Sequence, residues 1–277
     1  MNYDIDEVRE YYDSNPKKEW NRMSGHYSDI EFNVVQKKLS QHLKEKSTIL
    51  DLGCGSGRHS VELAKQGHKV VMVDISQNSL DFAVQRMKEE GLESQIIDVV
   101  CCPAEEYKNY HIIFDGVLAF GPFYHIIDEK RLEQCINNIK TYTNNKSYIF
   151  IICIQMISLF KDFLKRGWFQ QLRYQIEHGY LETGIYIPQS KQDIIEYMPE
   201  FRAFEFEKIS QILTNHDFDV IDMITCEGFA AFMRPYIEKN DLSSDSYSQM
   251  LNLIYETADK PFLRNSTDHF LVVSKLR

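Results

Sequence analysis

A chain of 277 residues, 43% of them hydrophobic, carries enough apolar side chains to bury a substantial core, which excludes a disordered or fibrous protein. Its 31 basic and 41 acidic side chains leave a net charge of −10, which argues against an extended nucleic-acid or anionic-membrane surface. Six cysteines (54, 101, 102, 135, 153 and 226) show no Cys-x-x-Cys spacing, Met1-Asn2-Tyr3-Asp4 lacks a signal-peptide pattern, and the longest apolar run, residues 148–154, is far short of a bilayer span, so a reduced, cytoplasmic protein without membrane association is expected.

In chain order, residues 5–12 predict a short helix broken at Ser14-Asn15-Pro16, followed by an aromatic, charged arm, Glu19-Trp20-Asn21-Arg22 through His26, Tyr27 and Phe32. Residues 1–46 are therefore read as a helical arm, either a lid or a packed extension, with Ile30, Val34, Val35 and Leu39 at helical spacing. Ile49-Leu50-Asp51-Leu52 predicts a buried strand. Gly53, Gly55 and Gly57 then force a tight turn into a helix at 59–66, a strand, turn and helix corner open to close approach by a nucleotide.

Val70–Val73 reads as a second strand covered on both faces, ending at Asp74. Asp74 lies 23 residues after Asp51, and an acidic residue about 20 positions on, at the tip of the second strand, is placed to grip a ribose diol. A helix at 79–90, strands at 96–101 and 112–120, a helix at 132–142 and a strand at 148–155 continue the alternation. A helix at 206–215 and strands at 220–227 and 269–274 complete it. One helix between successive strands predicts an α/β Rossmann-like fold, a mostly parallel seven-stranded sheet with helices on both faces.

Residues 47–155 form the nucleotide-binding core in this reading, and 204–277 its C-terminal part, with a second insertion at 229–263 read as loop plus helix. Residues 156–203, inserted after the fifth strand, hold Trp168, Phe169, Tyr174, Tyr180, Tyr186 and Tyr197, too aromatic for a linker, and are expected to cap the substrate.

Three stretches together resemble the class I S-adenosylmethionine-dependent methyltransferases: Ile-Leu-Asp-Leu-Gly-Cys-Gly-Ser-Gly at 49–57, Val-Asp-Ile-Ser at 73–76 and Phe-Asp-Gly-Val-Leu-Ala-Phe at 114–120. A dehydrogenase fingerprint has Gly-x-Gly-x-x-Gly instead. Gly121-Pro122-Phe123-Tyr124-His125, the Glu19–Arg22 arm, Glu227-Gly228 and the stretch 269–273 are similar to a bacterial subgroup with a Gly-Pro-x-Tyr-His motif after the fourth strand.

The resemblance implies S-adenosylmethionine as cofactor, with Asp51 orienting the turn and the methionine amino group, and with Gly53, Cys54, Gly55 and Gly57 as the turn that backbone contacts require. It further implies Asp74 and Ser76 at the ribose, Ile75 on the adenine, and the Ala119 carbonyl, beside Phe120, on the methionine ammonium. Where relatives often carry Gly-Asp-Ala, this chain has Cys102-Pro103-Ala104, which leaves Pro103 and Ala104 at the adenine without the acidic partner. Trp20 and Arg22 of the arm are included in the cofactor set, Arg22, Arg166 and Arg173 being forks that fit a carboxylate.

His125, with Tyr124, is either the base or substrate ligand, or a helix cap that shapes the pocket; Trp168, Arg173, Glu177, His178, Tyr180 and Glu227 complete the substrate candidates. The cysteines fall mostly on strand and helix positions, where they act as small hydrophobes, and no metal is expected. The expected reaction is methyl transfer to nitrogen or oxygen of a small molecule or short peptide. RNA methylation and a non-catalytic cofactor-binding regulator are the alternatives, and the oligomeric state is not legible.

Overall fold

Five parallel strands are laid down by the alternation read above: β1 (Thr48–Leu52), β2 (Lys69–Asp74), β3 (Ile96–Cys101), β4 (Gly116–Ala119) and β5 (Tyr148–Ile154). The computed structural model describes residues 5–14, 16–22, 25–108, 111–188, 199–240 and 242–277. The four inner strands are buried along almost their whole length, as continuous apolar runs covered by helices on both faces must be. β3 lies at the edge and alternates exposed with half-buried positions.

Two more strands, β8 (Phe218–Thr225) and β9 (His269–Leu276), complete the seven-stranded sheet that the sequence predicts, and its strand order is β3-β2-β1-β4-β5-β9-β8. β9 runs antiparallel to β5, pairing His269 with Ile154. That reversal matters for the site: the start of β9 lies at the carboxyl edge of the parallel strands, where α/β sheets open their crevice.

Helices α3 (His26–His42), α4 (Arg58–Lys65) and α5 (Gln77–Glu89) pack on one face, and α6 (Pro122–His125), α7 (Glu129–Thr141) and α11 (Phe206–Asn215) on the other, each over its own apolar core. Residues 229–263 hold two helices, α12 (Ala230–Lys239) and α13 (Ser244–Thr257), rather than loop plus one helix, and both pack against α3. The fourth strand is shorter than the apolar run 112–120. Phe114 N–H donates to Tyr142 O, outside the ladder, and the flanking turn holds the rest out of strand geometry.

The arm divides into α1 (Ile5–Ser14) and α2 (Pro16–Arg22) before α3. α1 docks on α5: Asp13 Oδ1 accepts from Ser76 Oγ at 2.6 Å and from Asn78 N at 3.2 Å, and Asn78 Nδ2 donates to Asp13 O at 2.9 Å. The insertion after β5 contains α8 (Met156–Arg166), α9 (Phe169–Glu177), α10 (Tyr180–Thr183) and a two-stranded ribbon, β6 (Ile185–Tyr186) with β7 (Phe201–Arg202). Its aromatics have a separate role from the one expected. Phe163, Leu172, Tyr180, Tyr186 and Phe201 bury one another as a third core; Tyr197 lies outside the described residues.

Candidate active site

The turn between β1 and α4 is shaped by three left-handed glycines, Gly53 at φ 80°, Gly55 at 53° and Gly57 at 79°. At Gly53 a Cβ would sit 2.6 Å from the Pro122 side chain, so the glycine turn and the Gly121-Pro122 turn abut only because that atom is missing. Gly53 N and Cys54 N both donate to Val73 O, tying the turn to the end of β2. There Asp74 closes the corner: its Oδ2 accepts from Gly55 N at 2.7 Å and its Oδ1 from Ser76 N at 2.9 Å. Burial raises the Asp74 carboxyl to about 6, against the lowering effect of these backbone donors.

Around this corner lies a cavity of about 270 Å³. Its floor is Gly53, Cys54, Gly55 and Ser56; one wall carries Asp74, Ile75, Cys102, Pro103 and Ala104; and Ile5, Val8 and Tyr12 of α1 form the roof. Beyond the glycine turn the cavity continues to Tyr27, Glu31, Phe32, Glu227, Arg234 and His269. Ser56 Oγ is buried on the floor without a hydrogen-bond partner among the described residues. An orphaned hydroxyl costs stability unless a guest satisfies it.

His125 lines the same cavity and is held from two sides. Its Nδ1 faces the Glu200 carbonyl at 3.4 Å, which can only accept, so Nδ1 carries the proton and Nε2 accepts from Tyr12 Oη at 2.8 Å. Burial lowers its pKa to about 4, partly opposed by the Glu200 carbonyl. The ring is thus neutral, and it fastens the arm over the cavity. The Tyr124 ring lies tilted beside it, centroids 4.7 Å apart, and also lines the space. His59, at the start of α4, is a half-buried neutral ring: it is edge-on to Phe120 at 4.7 Å, and desolvation lowers its pKa to about 3.

Residues 49–146 match the family model described as a methyltransferase domain. Over those residues the chain is similar to that domain. Over 106 residues the chain is 30% identical to the Haemophilus influenzae protein named "Probable S-adenosyl-L-methionine-dependent methyltransferase TehB", covering 38% of this chain and 35% of that one. The chain spans only about a third to two fifths of the first curated relatives it matches.

Among solved structures, an S-adenosylmethionine-dependent methyltransferase of Methanosarcina mazei superposes with a TM-score of 0.60 at 17% identity, covering 86% of this chain and 96% of that one. The Burkholderia thailandensis 1,6-didemethyltoxoflavin-N1-methyltransferase, solved with its substrate and S-adenosylhomocysteine, gives 0.60 at 15% identity, covering 98% and 86%. The fold is therefore that of the class I methyltransferases. The glycine turn, the Asp74 carboxylate and the orphaned Ser56 hydroxyl fit S-adenosylmethionine in chemistry: backbone open to close approach, an acceptor for a ribose diol and an unsatisfied hydroxyl.

Of the residues predicted for the cofactor, Gly53, Cys54, Gly55, Asp74, Ile75, Pro103, Ala104 and Phe120 line the cavity, as do Tyr124, His125 and Glu227 of the predicted catalytic and substrate residues. Others do not line it. Asp51 is buried beneath the turn, its Oδ2 accepting from Ser60 Oγ at 2.6 Å. Gly57 is a packing glycine, where a Cβ would lie 2.6 Å from Ala83 Cβ. Ser76 caps α5, accepting from Ser79 N, and Ala119 is fully buried in its strand. Trp20 lies against Phe82 and Arg86 on the outer side of α5, and the Arg22 side chain falls outside the described residues.

The expected cap contributes nothing to this cavity from its described residues. Tyr180 is fully buried and donates to Met156 O, while Trp168 packs edge-on against Phe163. Arg173, its side chain 81% exposed, pairs with Glu177, and Arg166 pairs with Asp162. His178 stacks on Tyr174 and bonds its carbonyl. The described part of the insertion packs on itself because its aromatics meet each other, and among the described residues the roof comes from the arm.

The sequence reading missed Tyr12, Glu31, His59, Arg234 and Asp268 as cavity residues. The Asp268-His269 pair had a legible signal, since an antiparallel last strand must start at the carboxyl edge. Tyr12, Glu31 and Arg234 come from helices whose placement only packing decides.

Proposed function

We propose that this chain is an S-adenosylmethionine-dependent methyltransferase whose acceptor is a small molecule, methylated at nitrogen or oxygen under the α1 roof. The observation that carries this reading is one cavity running from the glycine turn and Asp74 to a second, polar end lined by Glu31, Glu227, Arg234 and His269. A cavity that is roofed by its own arm and bordered by acids suits a compact acceptor better than a polyanion. Bound at the turn, the cofactor supplies an activated methyl group on a sulfonium, open to in-line displacement.

In this mechanism the Asp74 oxygens, each with a lone pair left after its backbone bond, hold the ribose hydroxyls, and the Ser56 hydroxyl takes a further polar group. Ile75, Pro103 and Ala104 offer an apolar seat for the adenine. His125 keeps the arm shut through Tyr12 and excludes water; its neutral, doubly held ring makes it a positioning residue. The chain's work is mainly to orient and desolvate.

The test is calorimetric titration with S-adenosylhomocysteine, followed by a metabolite-pool assay for S-adenosylhomocysteine release. Tight binding with turnover supports the reading. Tight binding without turnover across the pool leaves a cofactor-binding regulator, and no binding overturns it.

A further inference from the structure

A second histidine of the cavity, His59, is held by a hydrogen-bond relay that runs between α3 and α4. Glu62 Oε1 accepts from Gln66 Nε2 at 3.3 Å, and Gln66 Nε2 also donates to Gln36 Oε1 at 3.3 Å. Gln36 Nε2 in turn stands 3.0 Å from His59 Nδ1. A carboxylate only accepts, so it fixes which end of the Gln66 amide faces it, and that amide fixes the next. Gln36 therefore presents its NH2 to the ring. Nδ1 must accept, and the ring proton sits on Nε2.

Desolvation, helped by the Arg58 charge, lowers the pKa of the ring to about 3, so it takes up no second proton at neutral pH. His59 lines the cavity, and its Nε2–H has no hydrogen-bond partner among the described residues. Ser56 Oγ is buried, whereas His59 Nε2 is open to a guest. The ring also touches two aromatic walls of the cavity, Phe120 edge-on at 4.7 Å and Phe32 tilted at 5.1 Å. Arg58, the adjacent cation, lies over the Phe32 ring and pairs with Asp29 at 2.5 Å.

The cavity beyond the glycine turn thus offers one neutral donor of fixed direction, framed by apolar rings. A carboxylate seated there would give up its water for a single neutral N–H, a poor exchange. A flat, uncharged molecule with an acceptor atom at its edge satisfies the donor and covers the rings together.

We infer that the methyl acceptor carries a neutral carbonyl oxygen or ring nitrogen that takes a hydrogen bond from His59 Nε2, its flat body lying against Phe32 and Phe120. The inference rests on the methyltransferase reading above. His59 in this role binds and orients the acceptor, and the reacting nitrogen or oxygen is a different atom of the same molecule, since a nucleophile that accepts this bond would be weakened by it.

The experiment uses the full chain, with its histidines labelled by nitrogen-15, saturated with S-adenosylhomocysteine at neutral pH. Two-bond proton–nitrogen spectra should show the His59 ring, assigned by its loss in His59→Phe, with Nε2 protonated and Nδ1 bare; the opposite tautomer overturns the inference. Titrations then compare acetophenone with ethylbenzene and pyridine with benzene, and benzoate serves as the charged comparison. At least one acceptor-bearing probe should bind about threefold to tenfold more tightly than its hydrocarbon, the range for one neutral hydrogen bond. His59→Phe should erase that preference and His59→Gln, whose amide nitrogen replaces Nε2, should restore part of it, with S-adenosylhomocysteine affinity unchanged in both. No preference in either pair, or one that survives His59→Phe, overturns the inference alone. So does benzoate as the tightest probe, which assigns the donor to a carboxylate, or S-adenosylhomocysteine affinity falling in His59→Phe, which assigns it to the cofactor. Failure of the unmutated chain to bind S-adenosylhomocysteine sinks the methyltransferase reading itself.

Discussion

Replacing His125 by Gln isolates the energetics of the buried ring that holds the arm. Gln can keep both bonds, donating to Glu200 O and accepting from Tyr12 Oη, but it cannot be protonated. In the unfolded chain a histidine titrates near the usual value of about 6.5, and in the native state burial lowers His125 to about 4. Between those values the unfolded state binds a proton that the native state refuses. The stability contributed by the neutral ring is therefore complete above pH ~6.5 and drains away as pH falls toward about 4. At pH 4.5 the loss amounts to about 2 to 3 kcal/mol from this one ring. Other titrating groups, His59 among them, are common to both proteins and cancel in the difference. Urea unfolding followed by circular dichroism should give similar stabilities at pH 7.5, with the variant ahead by about that margin at pH 4.5. Parallel pH profiles for the two proteins would refute the assignment of a neutral, doubly held ring.

Asp74→Ala should weaken S-adenosylhomocysteine binding by roughly 1.5–3 kcal/mol, as loss of charge-assisted bonds does, and calorimetry with an unchanged affinity would remove Asp74 from the cofactor site. Gly57→Ala combines a left-handed φ with a 2.6 Å approach to Ala83 Cβ, and should cost about 2–4 kcal/mol in chemical denaturation. Gly67→Ala, at φ 88° with open space around it, should cost only the backbone share of about 1 kcal/mol. Tyr12→Phe removes the bond to His125 Nε2, so proteolysis within residues 5–14 should quicken, and S-adenosylhomocysteine should dissociate faster while the global unfolding midpoint moves little. Equal proteolysis rates would show that the arm is held by its apolar contacts and Asp13 alone.

The order of strands and helices was legible because it is written in local terms. Short apolar runs such as 70–73 and 148–154, rich in β-branched residues, read as strands covered on both faces, and they are. A Gly-x-Gly-x-Gly turn between a strand and a helix needs backbone angles that other residues avoid. The spacing from Asp51 to Asp74 follows from one strand–helix–strand unit, which sets the second carboxylate at the tip of its strand. Those features therefore announced the fold, and their resemblance to the class I methyltransferases implied the methyl donor.

What covers the site was not local. Aromatic content pointed to residues 156–203 as a cap, but whether Trp168 or Tyr180 meets a ligand or another ring depends on helix crossings, and in the fold they meet each other. From its place after the fourth strand His125 read as a base or substrate ligand or as a pocket-shaping cap, and its protonation is set by burial and by Tyr12 and Glu200, far away in the chain. Glu31, Glu227 and His269 are nearly 200 residues apart or more in two of their three pairings. Only the antiparallel entry of β9 at the carboxyl edge, beside α3, makes one charged site of them. The sequence by itself determined the nucleotide corner, because a turn is specified by its own residues. The tertiary structure alone decided the roof and the polar far end of the cavity, because those surfaces are assembled from distant helices and strand ends whose positions are settled by packing.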